Sequence, residues 1–265
     1  MGEREATVQT PESLAVPAER DVESRPRRSL GPGVRRRIPL IVIGLASLSG
    51  PILLLTMLDH GIHLSPDSYT YLGVASNLAH GKGWTYPFNT PGAPLTVFPP
   101  LYSSFLSAGN LLHVNALAWA QWQNAFLFGI LELVAGLGVY RSTEGSVPAA
   151  LIGMVLVLVG VPVILSYSAV LSETLFYSLE LLALFLLASH IRTRRTRYLV
   201  LAAVATGLCM LTRYSGLSVL LSGCALVIVW PKRRILERVR LLATYAALMP
   251  TRKRRSIGAP SSPAA

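Results

Sequence analysis

The chain has 265 residues, 52% of them hydrophobic and only 14% charged, and a mean hydropathy of +0.49. A soluble domain carries about 25% charged residues, so an ordinary soluble enzyme is excluded. The formal net charge of +11 does not point to nucleic acid, because the basic residues stand in blocks beside apolar stretches, as the positive-inside rule produces.

Residues 1–37 hold Pro, Glu, Arg, Ser and Gly with almost no periodic apolar residue, and read as a disordered cytoplasmic tail. Its second half is basic: Arg25, Arg27, Arg28, Arg35, Arg36 and Arg37. The apolar run 38–58 is about as long as a hydrocarbon core requires. No small-residue cleavage site follows it, so it reads as an uncleaved anchor with a cytoplasmic N-terminus.

Residues 59–98 form a long outer loop with Asp59, Asp67 and Lys82 as its fixed charges. Within it, 67–80 (DSYTYLGVASNLAH) places Tyr71, Val74, Ala75 and Leu78 at helical spacing. Asp67, preceded by Pro66, suits a helix N-terminus, and Gly81 and Gly83 end the segment. A short interfacial helix is expected. Pro87, Pro91, Pro94, Pro99 and Pro100 predict an irregular remainder.

Four apolar stretches follow, 101–114, 117–140, 147–166 and 171–190, before the basic block Arg192, Arg194, Arg195 and Arg197. An outer loop and a cytoplasmic block need an odd number of crossings between them, so one stretch does not cross. The suspect is 101–114, which reaches about 21 Å at roughly 1.5 Å per residue against about 30 Å of hydrocarbon. It also carries Ser103, Ser104, Asn110 and His113 and reads as a partial or re-entrant segment. A tight hairpin comes next: 198–212 rises, Arg213-Tyr214-Ser215-Gly216 turns, and 217–230 returns. Beyond Pro231 stands a basic amphipathic stretch (Lys232, Arg233, Arg234, Arg238, Arg240), then a short run 241–249 and a small-residue tail.

The fold class expected is all-α: a polytopic transmembrane helix bundle of about six crossings plus a partial helix. The transmembrane domain spans 38–230, with 231–265 as a basic stretch and disordered tail. Cys209 and Cys224 lie in apolar runs and read as packing residues, with no disulfide framework.

This topology brings Asp67, Glu173 and Arg213 to one outer face. Ionisable residues at membrane depth are costly and are functional candidates. A carboxylate there could act as general base on an acceptor hydroxyl, and a guanidinium could grip a phosphate. The competing readings are that Asp67 caps the loop helix, and that Glu173 and Arg213 sit at helix ends or pair with each other. Glu132 and Glu180, inside apolar runs, are expected to hydrogen-bond between helices. His60 and His63 near Asp59 fit no standard metal signature, and Gly81-Lys82-Gly83 is no phosphate loop.

The run SPDSYTYLGVASNLAHGKGWTY (65–86), followed by FPPLYSSFLSAG (98–109), resembles the first outer loop of GT-C glycosyltransferases of the protein O-mannosyltransferase, aminoarabinose-transferase and Rgt-like type. The matching residues are Asp67, Tyr71, Ala75, Leu78, Gly81, Gly83, Pro99, Pro100, Leu101 and Tyr102. SETLFYSLELLALFLL (172–187) resembles the family's second acidic site, at Glu173, and LTRYSGL (211–217) its later basic residue, at Arg213. The resemblance covers about residues 38–230, the first half of a typical member. It leaves open a truncated product, an incomplete gene model or a half that works with a partner.

What the resemblance implies is a sugar carried on a polyprenyl phosphate and passed to an acceptor on the outer face of the cell membrane. Asp67 would be the base, Glu173 a supporting carboxylate and Arg213 the donor-phosphate ligand, with Tyr71 and Tyr102 in support. It implies no nucleotide cofactor and no metal; the partners would be the lipid-linked sugar and membrane lipid. The alternative is a non-catalytic membrane protein that binds lipid-linked sugars or assembles a complex. A transporter would show an inverted repeat, and none is evident.

Overall fold

The computed structural model describes residues 32–88 and 92–229, with positions 2, 243 and 245 besides. Most of the expected N-terminal tail, Pro91 and the 231–265 stretch apart from Ala243 and Tyr245 therefore lie outside the described residues.

The first apolar run forms α1 (Pro32–Ala46) and α2 (Ser49–Met57), broken at Ser47 and Leu48. Together Arg37–Met57 is long and apolar enough to cross a membrane. The break exposes backbone N–H groups at the start of α2, which in an apolar medium must find acceptors. They find Glu132, from α5 (Ala116–Ser142). Gly50 N–H donates to its Oε2 at 2.8 Å and the Ser49 hydroxyl to its Oε1 at 2.6 Å. Close approach of the two helices makes this possible. A Cβ on Gly50 would stand 2.6 Å from Glu132 Oε2, and one on Gly129 would stand 2.9 Å from the Pro51 ring. Small residues commonly serve this purpose between membrane helices.

The loop helix appears as α3 (Pro66–Ala79), one residue earlier than the 67–80 expectation. Its cap is Ser65. The Ser65 side chain accepts from Ser68 N–H while the Ser68 side chain accepts from Ser65 N–H, a complete capping box. Gly81 and Gly83 follow with φ of +73° and +72°, a backbone that glycine adopts without strain. The segment after α3 is more ordered than its prolines suggest. Tyr86 N–H bonds Ala93 O and Leu95 N–H bonds Trp84 O, so the chain doubles back beside an antiparallel Thr85–Pro94 bridge.

Next comes α4 (Leu101–Leu111), about 16 Å long at roughly 1.5 Å per residue. It does not traverse the bundle, because α5 begins at the end where α3 lies: Gln121 Nε2 donates to Leu58 O, beyond the end of α2, and Asn124 Nδ2 donates to Tyr167 O and Ala169 O. The odd-crossing argument thus resolves on the segment that sequence length singled out.

The helices that follow are α5; the pair α6 (Val147–Leu158) and α7 (Val161–Tyr167), bent by 62°; and α8 (Ser172–Thr193). Gly160 and Pro162 stand at the bend, where proline removes a helix hydrogen bond. The hairpin is α9 (Thr196–Thr212) and α10 (Gly216–Val229). Gly216 has no substitute in this packing, since a Cβ there would lie 2.5 Å from Met210 N. Tyr245 reaches back into the bundle, its hydroxyl 2.7 Å from Thr206 Oγ1.

The architecture is all-helical among the described residues, as expected, but with fewer full-length spans. Three helices are long and apolar enough to cross, or four if the bent pair is one span. The six-crossing expectation counted the two hairpin arms, and at 17 and 14 residues these reach only about 26 and 21 Å. The Arg213–Gly216 turn and the basic flanks take the residues that longer arms would need.

Candidate active site

Three chain segments converge at the loop end of the bundle, held by backbone before any functional side chain is considered. His63 pairs in parallel with Ala169: His63 N–H bonds Ser168 O at 2.9 Å, and Val170 N–H bonds His63 O at 3.2 Å. Ser68 Oγ donates to Val170 O at 2.9 Å. These bonds fix the start of α3 against the turn that leads into α8. On the other side Tyr214 OH donates to Thr96 O at 3.0 Å, tying the α9–α10 turn to the same loop.

Within this frame, Glu173 stands in the first turn of α8 and Arg213 is the C-cap residue of α9, in extended conformation. Their side chains meet: Arg213 Nη1 is 2.6 Å from Glu173 Oε1. The same Nη1 donates to Ser172 Oγ at 3.0 Å, and Ser172 Oγ also accepts from Tyr71 OH at 3.0 Å. With both acceptances made, the Ser172 hydrogen faces Glu173 Oε2, a longer contact of 3.5 Å. A fully buried serine therefore joins the tyrosine of α3 to the ion pair between α8 and α9.

Tyr71 is seated by aromatic packing. Its ring lies 4.8 Å from Phe98 and 5.0 Å edge-on from Tyr102, centroid to centroid. This is the favoured geometry of aromatic pairs, and it explains what the Pro99-Pro100-Leu101-Tyr102 run does. The two prolines start α4 so that Tyr102, wholly buried, backs Tyr71. Tyr102 meets Tyr71 ring to ring, and its own hydroxyl, with Thr174 beside it, makes no well-formed hydrogen bond among the described residues. Burial pushes the Tyr71 hydroxyl up to about 12; its bond to Ser172 opposes the rise and the Glu173 charge adds to it. At neutral pH it is a neutral donor.

Asp67 sits one helical turn before Tyr71 on the same face, and its charge acts on the Tyr71 hydroxyl. Its carboxylate is exposed, without hydrogen-bond or ion-pair partner among the described residues. The capping role that competed for it belongs to Ser65. The pairing that competed for Glu173 and Arg213 does occur, yet engages only Nη1. A guanidinium carries five N–H donors in a planar fork, and the other donors of Arg213 are uncommitted among the described residues.

Ser172 is the residue that sequence reasoning undervalued, and a buried serine in an apolar run carries no signal of its own. The Ser65–Ser68 box was missed as well, because Ser68 stands where the usual pattern has Glu or Gln. The other candidates fall elsewhere. His60 Nδ1 pairs with its neighbour Asp59 on the surface, and Glu132 caps α2, the inter-helix bond expected of it. Glu180 departs from that expectation, because its carboxyl makes no hydrogen bond among the described residues and faces an apolar cleft with Leu131, Pro162 and Tyr177.

Residues 98–251 match the family model described as dolichyl-phosphate-mannose-protein mannosyltransferase. The chain belongs to that family. It is a multi-pass membrane protein of the GT-C glycosyltransferase kind, and the family uses sugar donors linked to polyprenyl phosphate. No curated protein and no solved structure matches it at a significant level. In this mannosyltransferase-family chain, Tyr102, Glu173 and Arg213 lie inside the matched stretch, and Asp67 and Tyr71 precede it.

Proposed function

We propose that this chain transfers a sugar from a polyprenyl-phosphate donor to an acceptor hydroxyl at the outer face of the cell membrane, with its N-terminus in the cytoplasm. The supporting observation is the arrangement around Ser172. A part-exposed guanidinium, oriented by Glu173, stands beside a neutral tyrosine on the helix face that also carries a carboxylate without a partner among the described residues. Charge distribution supports the orientation. Arg192, in the last turn of α8, and Arg194, Arg195 and Arg197 beyond it form a basic block at its far end, and basic blocks favour the cytoplasm.

In this reading Asp67 takes the proton from the acceptor hydroxyl. The freed oxygen forms a bond to the anomeric carbon as the bond from that carbon to the phosphate oxygen breaks, which inverts the centre. The bonding pair leaves with the phosphate, where Arg213 meets the charge through its free N–H groups. Glu173 and Ser172 position Arg213, and Tyr71, backed by Tyr102, donates to Ser172.

The test is transfer by the purified full chain in lipid nanodiscs, with a polyprenyl-phosphate sugar as donor. Asp67→Asn should lower the transfer rate by about 10²–10⁴-fold while donor affinity holds, and Arg213→Ala should weaken donor binding. Transfer that survives Asp67→Asn unchanged would remove the base. Donor binding without transfer in the wild type would favour the binding-protein alternative.

A further inference from the structure

Between α6 and α8 the bundle leaves a cleft whose floor is α5. Small residues open it: Ala135 and Gly138 on the floor and Ala188 on one wall. A Cβ on Gly138 would meet nothing closer than Phe185 at 3.9 Å, so space is present at the floor. The cavity measures about 510 Å³ and is apolar except at one end, where Arg141, Ser142, Ser189 and Arg192 line it. Val157, Leu181 and Leu184 line both this cavity and the smaller one in front of Glu180, which makes one continuous groove. From Arg192 back to Glu180 it runs about 18 Å at roughly 1.5 Å per residue, close to one leaflet of an approximately 30 Å core.

The two arginines at the mouth are held in place without being neutralised. Arg141 Nη1 donates to Ser189 Oγ at 3.0 Å, and its guanidinium carbon lies 4.5 Å from the centre of the Phe185 ring. Arg192 Nη1 donates to the Arg141 carbonyl. Both also line a third cavity, of about 400 Å³, together with Tyr140 and Glu144. Neither arginine forms an ion pair among the described residues, Glu144 included. Each keeps most of its five N–H donors.

We propose that this groove is a binding site for an anionic glycerophospholipid, with one acyl chain between α6 and α8 and its phosphate between Arg141 and Arg192. Charge complementarity commits the occupant: an apolar slot of leaflet depth ending in two preoriented, unneutralised guanidinium groups matches a hydrocarbon chain ending in a phosphate. Basic pockets between membrane helices recognise anionic headgroups by the same physics. The site lies at the opposite end of α8 from Glu173, and nothing in it depends on the sugar-transfer reading.

The test titrates delipidated full chain with phosphatidylglycerol or with phosphatidylcholine of identical acyl chains, read by native mass spectrometry. The wild type should prefer the anionic lipid by about thirtyfold, at roughly fivefold per arginine. Arg141→Gln with Arg192→Gln should erase the preference but leave weak binding of both lipids. Gly138→Leu, which fills the floor, should weaken both lipids and keep the preference. Equal affinity for the two headgroups in the wild type, or a preference that survives the double arginine change, overturns the proposal. So does displacement of the lipid by millimolar inorganic phosphate with no loss in Gly138→Leu, which would mark a site for free anions. A dimer that dissociates on groove substitution would make a second copy the occupant, and is equally fatal.

Discussion

Replacing Glu173 by Gln removes the charge that holds Arg213 and leaves side-chain volume almost unchanged. Its size follows from exposure. The two side chains are 25% and 36% exposed, so the pair lies between surface ion pairs, worth roughly 0.2–1 kcal/mol, and buried ones, whose breakage costs about 3–5 kcal/mol. An intermediate cost of about 1–2 kcal/mol is expected, or roughly 5–30-fold in an equilibrium constant. Arg213 retains Ser172 as a partner, so the guanidinium should loosen without leaving. The assay is a double-mutant cycle of Glu173→Gln and Arg213→Gln, read by thermal unfolding and by affinity for a polyprenyl-phosphate sugar. Glu173→Gln should weaken donor binding by about that factor, and should have no further effect once Arg213 is Gln. Additive losses in the cycle would refute the positioning role and leave Glu173 with a separate function.

Glu132→Leu leaves the Gly50 N–H without its acceptor inside the bundle, while the Ser49 hydroxyl falls back on the Ala46 carbonyl, 2.7 Å away. It should cost about 1–3 kcal/mol, seen as a lower Tm in detergent, whereas an unchanged Tm would mean that water or lipid headgroups satisfy α2. Tyr71 gives a pH test. Its folded value, about 12, lies above the ordinary 10, so its contribution to stability is full below pH 10 and declines as pH rises from 10 through 12. The decline should be smaller in Tyr71→Phe when unfolding is followed across that range, and identical profiles would contradict its burial. Topology can be read by cysteine labelling: Tyr69→Cys and Ser215→Cys, both at exposed positions near the site, should react with an impermeant reagent from outside, and Arg194→Cys should not. The reverse pattern would invert the orientation.

The membrane class, the loop helix, the segment that does not cross and the Arg213–Gly216 turn all follow from local information. Hydropathy, a proline-aspartate start signal, run length and glycine placement are properties of neighbours in sequence, and each helix answers to them before it packs. The count of full-length spans was less legible, because apolar runs of 14 to 17 residues are too short to say by length alone whether they cross. Sequence also marked Asp67, Glu173 and Arg213 as charges too costly to be idle near a bilayer. What it could not determine was partnership. That Ser172 joins Tyr71 to the Glu173–Arg213 pair depends on three loops being drawn together by the His63–Ala169 bridge and the Tyr214–Thr96 bond. Glu132 and Glu180 look alike in sequence, yet one meets a broken helix and the other an apolar cleft. The difference comes from contacts more than eighty residues apart in the chain, and no local pattern records which helix a carboxylate will face.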